Sequence, residues 1–200
     1  RQRQMCIRDS HRGSYLMATG SAVAWNMPNR LVFLCVVPMF HCNGWCYPWT
    51  VPMLNGKTIC LRNIDIKKIF ELIDTYKVTH FGGAPIVLNM ITGASESDRK
   101  ELKHKVHVLT AGAPPPSIIF KKMKTLGFEV MHVYGLTETY GHITQCAWND
   151  EWDSLDEDKV NEIKARQGVR YPNTEGVSVI DPELSLIHIS RAHETHENRV

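Results

Sequence analysis

The sequence has little of what marks a secreted or nucleic-acid-binding protein. Its 200 residues contain only six cysteines, and the sequence has no Asn-x-Ser/Thr site for N-glycosylation. The cysteines are too few and too unevenly spaced for a disulfide-stapled secreted domain, so we expect a reducing, intracellular compartment. The formal net charge is only +2 with histidine counted as neutral, and the basic residues are scattered. The absence of a basic stripe argues against a nucleic-acid partner.

Charge is also missing from one long stretch, residues 31–56, which has no Asp, Glu, Lys or Arg. A membrane helix is therefore an alternative to weigh, but several prolines interrupt the stretch. A spanning segment has to be helical and predominantly apolar, because hydrocarbon offers no partner to free backbone groups. We therefore expect no membrane span. Residues 31–37 are instead predicted to form a buried strand, followed by a packed helix or loop at 40–53.

The rest of the chain alternates between short apolar runs and segments with apolar residues at helical spacing. Further strands are predicted at 58–61, 78–81, 106–110 and 128–133. Helices are predicted between them, for example one that follows Asp65, a good N-cap residue. Short strand–helix–strand connections favour parallel pairing, so we predict an α/β fold with a mostly parallel sheet flanked by helices.

Two weaker signals lie near the end of the chain. Ser154-Leu155-Asp156-Glu157 has the pattern of a capping box, which predicts a helix that starts at Ser154. Residues 177–180 are apolar enough to predict one more strand.

Three of the predicted strands end in loops that contain glycine. The loops are Gly82-Gly83-Ala84-Pro85, Ala111-Gly112-Ala113-Pro114 and Tyr134-Gly135-Leu136-Thr137-Glu138. Because the carboxyl ends of parallel strands meet at one edge of a sheet, we expect these loops to border one cleft.

The last of these loops has the chemistry of a nucleotide site. Thr137 supplies a hydroxyl, and Glu138 supplies a hard carboxylate of the kind that Mg²⁺ prefers. Tyr134 offers a flat ring with a polar tip, and Gly135 permits close approach of the backbone to a ligand. On residue types alone, an ordinary polar turn after a strand explains the loop equally well.

A fourth motif, Pro38-Met39-Phe40-His41-Cys42-Asn43-Gly44, precedes the three loops. It resembles the Pro-x-Phe-His-x-x-Gly motif of acyl-CoA synthetases. The Tyr-Gly-x-Thr-Glu sequence at 134–138 resembles a core motif of the adenylate-forming, or AMP-binding, superfamily. Together with the other two loops, the four motifs occur in the order and at the spacing of that superfamily. The resemblance is strongest to plant-type acyl-activating enzymes, and it covers residues 10–183.

The resemblance implies a ligase that works in two steps. A carboxylic acid attacks the α-phosphate of ATP to give acyl-AMP and pyrophosphate, and the thiol of CoA then displaces AMP. The implied cofactors are ATP, Mg²⁺ and CoA, the substrate is a small carboxylic acid, and the location is cytoplasmic or peroxisomal. A non-catalytic nucleotide-binding relative and an unrelated α/β domain with chance motifs remain the alternatives.

The resemblance also implies roles for residues on the nucleotide side of the site. Glu138 would hold Mg²⁺, and Thr137 would bond the α-phosphate. Tyr134 would stack on the adenine with Gly135 beside it. The other edge of the adenine would lie against Gly112, Ala113 and Pro114.

On the acyl side, the resemblance places His41 against the carboxylate of the acid. His41, Thr137 and Glu138 are thus the predicted catalytic residues. Trp45 and Gly83 would shape the acyl pocket, although a tryptophan in an apolar run is more often a core residue.

Several parts of the family pattern do not occur in this sequence. The loop that grips pyrophosphate is expected before Ser10, and the ribose-binding Asp and the catalytic Lys are expected after residue 183. Residues 1–9 and 184–200 match nothing in the family, and we interpret them as foreign or disordered. We therefore expect residues 10–183 to be a fragment of the large N-terminal domain, inactive by itself.

Overall fold

The computed structural model describes residues 9–178. Its strands are β1 (Val32–Cys35), β2 (Lys57–Cys60), β3 (His80–Gly83), β4 (Val106–Thr110), β5 (Phe128–Leu136), β6 (Gly141–Gln145) and β7 (Val169–Arg170). They form one seven-stranded sheet in the order β2-β1-β3-β4-β5-β6-β7. The interpretation of residues 1–9 and 184–200 as foreign or disordered falls, apart from residue 9, outside the described residues.

Strands β1 to β5 pair in parallel, whereas β6 and β7 join antiparallel at one edge. The predicted α/β fold with a mostly parallel sheet is therefore confirmed. The sequence did not predict β6 and β7, because Gly-His-Ile-Thr-Gln in β6 is mainly polar and β7 has only two residues. In β6 the buried side chains are largely polar ones, such as His142 and Gln145.

Helices cover both faces of the sheet. They are α1 (His11–Ala24), α2 (Cys42–Trp45), α3 (Tyr47–Met53), α4 (Ile66–Tyr76), α5 (Pro85–Gly93), α6 (Ser117–Thr125) and α7 (Glu157–Lys164). The apolar sides of α4, α5 and α6 form one core with the sheet, and α1 and α3 form a second core on the opposite face. Strand residues alternate between the two, so that Leu34 packs in the first core and Phe33 in the second.

The helix starts follow from capping side chains. The Asp65 carboxylate accepts a hydrogen bond from the backbone N–H of Lys68 at 2.9 Å, which confirms the predicted cap. The predicted start at Ser154 is wrong, because Asp156 caps α7 by accepting from the N–H of Lys159 at 2.9 Å. The Ser154 hydroxyl instead donates to the carbonyl of Glu151 within a preceding 3₁₀ turn.

The uncharged stretch at 31–56 folds into β1, α2 and α3 with short connections. Within residues 9–178, the structure has no helix long and apolar enough to cross a membrane. The strand predicted at 177–180 is not seen at residues 177 and 178, and its other half lies outside the described residues.

Candidate functional site

A cavity of about 330 Å³ opens at the carboxyl ends of the central parallel strands. Ligands bind at this position in open α/β sheets. The predicted site residues in its wall are His41, Trp45, Gly83, Gly112, Gly135, Thr137 and Glu138. The expectation that three glycine loops border one cleft is therefore confirmed.

The wall between β1 and α3 is formed by α2, which is a single left-handed turn and not a right-handed helix. Five successive residues, 42–46, have positive φ angles between 40° and 65°. This conformation costs roughly 1–2 kcal/mol for each residue other than glycine, and only Gly44 is free of that cost. The N–H of Gly44 donates to the carbonyl of His41 at 2.8 Å, and the N–H of Cys46 donates to that of Asn43 at 3.1 Å. Strained backbone of this kind concentrates at ligand sites.

The turn directs Trp45 into the floor of the cavity and leaves His41 exposed at its rim. Trp45 is only 6% exposed and packs in the second core, so it is a core residue as well as a cavity wall. Its ring lies against Gly82 of β3, where an added Cβ atom would meet two ring carbons at 3.0 Å. The glycine at position 82 therefore provides the space in which the tryptophan ring sits.

The Thr-Glu motif lies just beyond the end of β5. The prediction that the strand ends before Tyr134 is wrong, because β6 pairs with β5 as far as Leu136. A Cβ atom at Gly135 would collide with the carbonyl of Gly141 on β6, so this hairpin requires glycine. Thr137 begins the 3₁₀ turn that closes the hairpin, with Glu138 exposed beside it.

Two contacts join this turn to the left-handed turn. The Cys42 thiol donates to the Thr137 hydroxyl oxygen at 3.4 Å. The Asn43 side-chain amide donates to the Tyr140 hydroxyl at 3.1 Å, and the same hydroxyl lies 2.7 Å from the Ser14 hydroxyl of α1. Partial burial raises the pKa of Tyr140 above its usual value. The tyrosine therefore stays protonated and links α1 to both turns.

Three predicted site residues do not line the cavity. Ala113 and Pro114 are exposed next to Gly112, and Tyr134 is half-buried on β5. The pairing of β5 with β6 is irregular between Tyr134 and Gly135, and only Gly135 lies in the cavity wall. The predicted contacts of these three residues with adenine stay predictions.

His142 is one of the cavity residues that sequence analysis missed. It is 2% exposed, and its ring lies 5.3 Å from that of Trp45 and 5.8 Å from that of Tyr171, measured between centroids. Burial lowers the pKa of His142 to about 4, so the imidazole is neutral at pH 7. Among the described residues, its Nε2 atom has no hydrogen-bond partner. His142 lies on β6, so only a prediction of that strand would have identified it from the sequence.

Glu138 is the residue that could hold a metal ion. Residues 9–178 contain no group of three side chains arranged to bind a metal. Magnesium is commonly held by one or two carboxylates together with substrate phosphates and water. An exposed carboxylate next to a hydroxyl at a cavity mouth fits that mode of binding.

Comparisons with known proteins agree with the motifs. The model of the AMP-binding enzyme family matches residues 10–189. The chain is 51% identical over 175 residues to the peroxisomal acetate/butyrate–CoA ligase AAE7 of Arabidopsis thaliana. It is 50% identical over 174 residues to the acetate–CoA ligase CCL3 of Humulus lupulus. Each match covers 86% of this chain but only 31% and 30% of the relatives, so the chain spans about a third of their length.

Solved structures show the same fold. The N-terminal domain of FACL13 from Mycobacterium tuberculosis superimposes with a TM-score of 0.64 at 26% identity, over 68% of this chain and 35% of that one. The o-succinylbenzoate CoA synthetase MenE of Bacillus subtilis gives a TM-score of 0.61 at 18% identity, over 75% and 30%. From its sequence, its four motifs and its fold, the chain belongs to the AMP-binding enzyme family.

Proposed function

We propose that this chain carries the acyl-adenylation site of an ATP-dependent acyl-CoA ligase. The observation that supports this most strongly is the single cavity bordered by all four motifs. Parallel strands would bring such loops to one edge in any α/β domain, and the family match over residues 10–189 is what argues against an unrelated domain with chance motifs. The curated relatives are named as acyl-CoA ligases, which supports a catalytic role over a nucleotide-binding one.

The acyl side of the cavity is mainly apolar. Val36, Val37 and Val87 line it next to Trp45, and the exposed His41 is available to the carboxylate at the rim. The small cavity suits a short acyl chain. The relatives named for acetate and butyrate support the same size class, so we propose a short-chain carboxylic acid as the substrate.

On the nucleotide side, the Thr137 hydroxyl accepts a hydrogen bond from Cys42 and keeps its own proton to donate to a phosphate oxygen. Glu138 would hold Mg²⁺, which when bound offsets the negative charge of the phosphates. A carboxylate oxygen of the acid attacks the α-phosphorus while the bond to pyrophosphate breaks. Such a step depends on positioning and charge neutralisation more than on an acid or base. The CoA sulfur then attacks the acyl carbon, and AMP leaves.

The same proposal places the whole protein inside the cell, in the cytoplasm or the peroxisome. The name of AAE7 includes a peroxisomal location, which supports the second of these.

A chimeric enzyme tests the proposal, with residues 10–178 of this chain replacing the matching segment of AAE7. We expect acid-dependent exchange of pyrophosphate into ATP. Glu138→Gln should lower the exchange rate on the order of 100-fold, because one preorganised electrostatic contact is lost. Glu96→Gln, at an exposed carboxylate outside the cavity wall, is the matched control and should leave the rate unchanged.

His41→Ala should raise the KM for the acid and leave ATP binding nearly intact.

A folded chimera that binds ATP without any exchange would instead support the non-catalytic alternative. Exchange by Glu138→Gln at the parent rate would show that this carboxylate has no part in the reaction.

A further inference from the structure

Two cysteines lie directly opposite each other on the parallel strands β1 and β2. The register pairs Cys35 with Cys60, just as it pairs Leu34 with Ile59. Paired residues on neighbouring strands point to the same face of the sheet. Leu34 and Ile59 pack in the first core, whereas Cys35 packs against the second, so both thiols lie on the face of the second core.

The spacing of the two strands suits a disulfide. Neighbouring strands lie about 4.7–4.9 Å apart, within the range of about 4.4–6.8 Å between the Cα atoms of a disulfide. The Cβ atoms must come to about 3.5–4.5 Å, which requires a small approach of the two strands. Cys35 and Cys60 are the last residues of their strands, where the least pairing opposes such a movement.

The pair is also accessible. Both thiols are free, Cys60 is exposed on the edge strand of the sheet, and Cys35 is half-buried. The Cys35 thiol makes only a weak hydrogen bond, to the carbonyl of Val37 at 3.5 Å. Cys46 and Cys146 are buried, so an oxidant in solution meets Cys60 before either of these.

We propose that Cys35 and Cys60 form a redox-sensitive pair that closes into a reversible cross-strand disulfide. The oxidant is a low-molecular-weight disulfide such as oxidised glutathione. The Cys60 thiolate attacks one of its sulfurs and releases a glutathione thiolate, and the Cys35 thiolate then attacks the Cys60 sulfur and releases the second. Two protein thiols are oxidised and one glutathione disulfide is reduced, and the two protons end on the glutathione thiols.

Closure of the pair reaches the cavity through the chain itself. Cys35 is followed at once by Val36 and Val37, which line the cavity. Drawing the end of β1 toward the sheet edge therefore moves this part of the cavity wall. Neither the disulfide nor this movement depends on the proposed ligase activity.

Disulfide mapping of the 200-residue chain tests the pairing. The chain is equilibrated with oxidised glutathione, its free thiols are blocked with N-ethylmaleimide, and its peptides are analysed by mass spectrometry. We expect the Cys35–Cys60 peptide to exceed any other disulfide at least about tenfold, because the fold holds these thiols at a high effective concentration. Dithiothreitol should reverse it, Cys60→Ser should abolish it, and the control Cys42→Ser should leave it unchanged.

An equal yield of this peptide from the chain unfolded in urea would overturn the pairing. Hydrogen exchange of the oxidised and reduced chains tests the link to the cavity. We expect changed exchange at residues 36–41 and unchanged exchange at residues 106–110 of β4. Identical exchange at 36–41 in the two states would overturn that link.

Discussion

Removing the hydroxyl of Tyr140 should loosen the site without changing its shape. This hydroxyl lies 2.7 Å from the Ser14 hydroxyl and accepts from the Asn43 amide at 3.1 Å. It therefore ties α1 and the left-handed turn to the loop that carries Thr137. Tyr140→Phe removes both hydrogen bonds and keeps the ring.

The size of the effect follows from the two hydrogen bonds. Each contributes about 0.5–1.5 kcal/mol net, so the loss should be about 2 kcal/mol of the free energy of unfolding. For a domain of this size, that loss lowers the midpoint of thermal unfolding by roughly 4–8 °C.

Thermal unfolding followed by circular dichroism measures the change. The matched control is Tyr15→Phe on α1, because Tyr15 is 67% exposed and its hydroxyl has no hydrogen bond to any of residues 9–178. We expect the control variant to have the same midpoint of thermal unfolding as the parent chain. Equal midpoints for the two variants would refute the idea that the Tyr140 hydroxyl holds the turns together.

Two further predictions concern packing and pH. Gly82→Ala should destabilise the chain by about 1–3 kcal/mol, because its Cβ would meet the Trp45 ring at 3.0 Å. The control Gly93→Ala should not destabilise the chain, because its Cβ would meet nothing within 4 Å. Equal urea midpoints for the two variants would contradict this reasoning. Burial lowers the pKa of both His142 and His80 to about 4. Their unfolded pKa is near 6.5, so the unfolded chain binds more protons between pH 4 and 6.5, and stability should fall as the pH falls through that window. The loss is on the order of 3 kcal/mol for each histidine by pH 4, and His142→Gln should flatten the pH profile of the urea midpoint.

The parallel part of the sheet could be predicted because its strands can be recognised from local sequence patterns. In β1, for example, the apolar run Val32-Phe33-Leu34-Cys35 packs against the cores on both faces of the sheet. Strand β6 carries no such signal, since its buried side chains include His142, Thr144 and Gln145. Its place depends on the hairpin with β5, and hence on the glycine at position 135.

The meeting of the loops at one cleft could be predicted from parallel topology, but the shape of the walls could not. The pair Asn43-Gly44 signals a turn, but one glycine in residues 42–46 does not indicate five successive positive φ angles. Long-range contacts hold this turn, such as those of Asn43 with Tyr140 and of Trp45 with Gly82. Contacts between residues so far apart in sequence leave no pattern that a reading of the sequence alone could find.

Photolabelling of the chimera with an azido derivative of ATP tests most directly whether the cleft is the nucleotide site. We expect label in peptides that cover residues 111–116 and 132–139, and we expect ATP to protect them. A second cavity of about 890 Å³, whose wall includes Trp148, Val160 and Lys164, offers the competing place. ATP-protected label confined to residues 146–164 would contradict a nucleotide site at the carboxyl ends of the parallel strands.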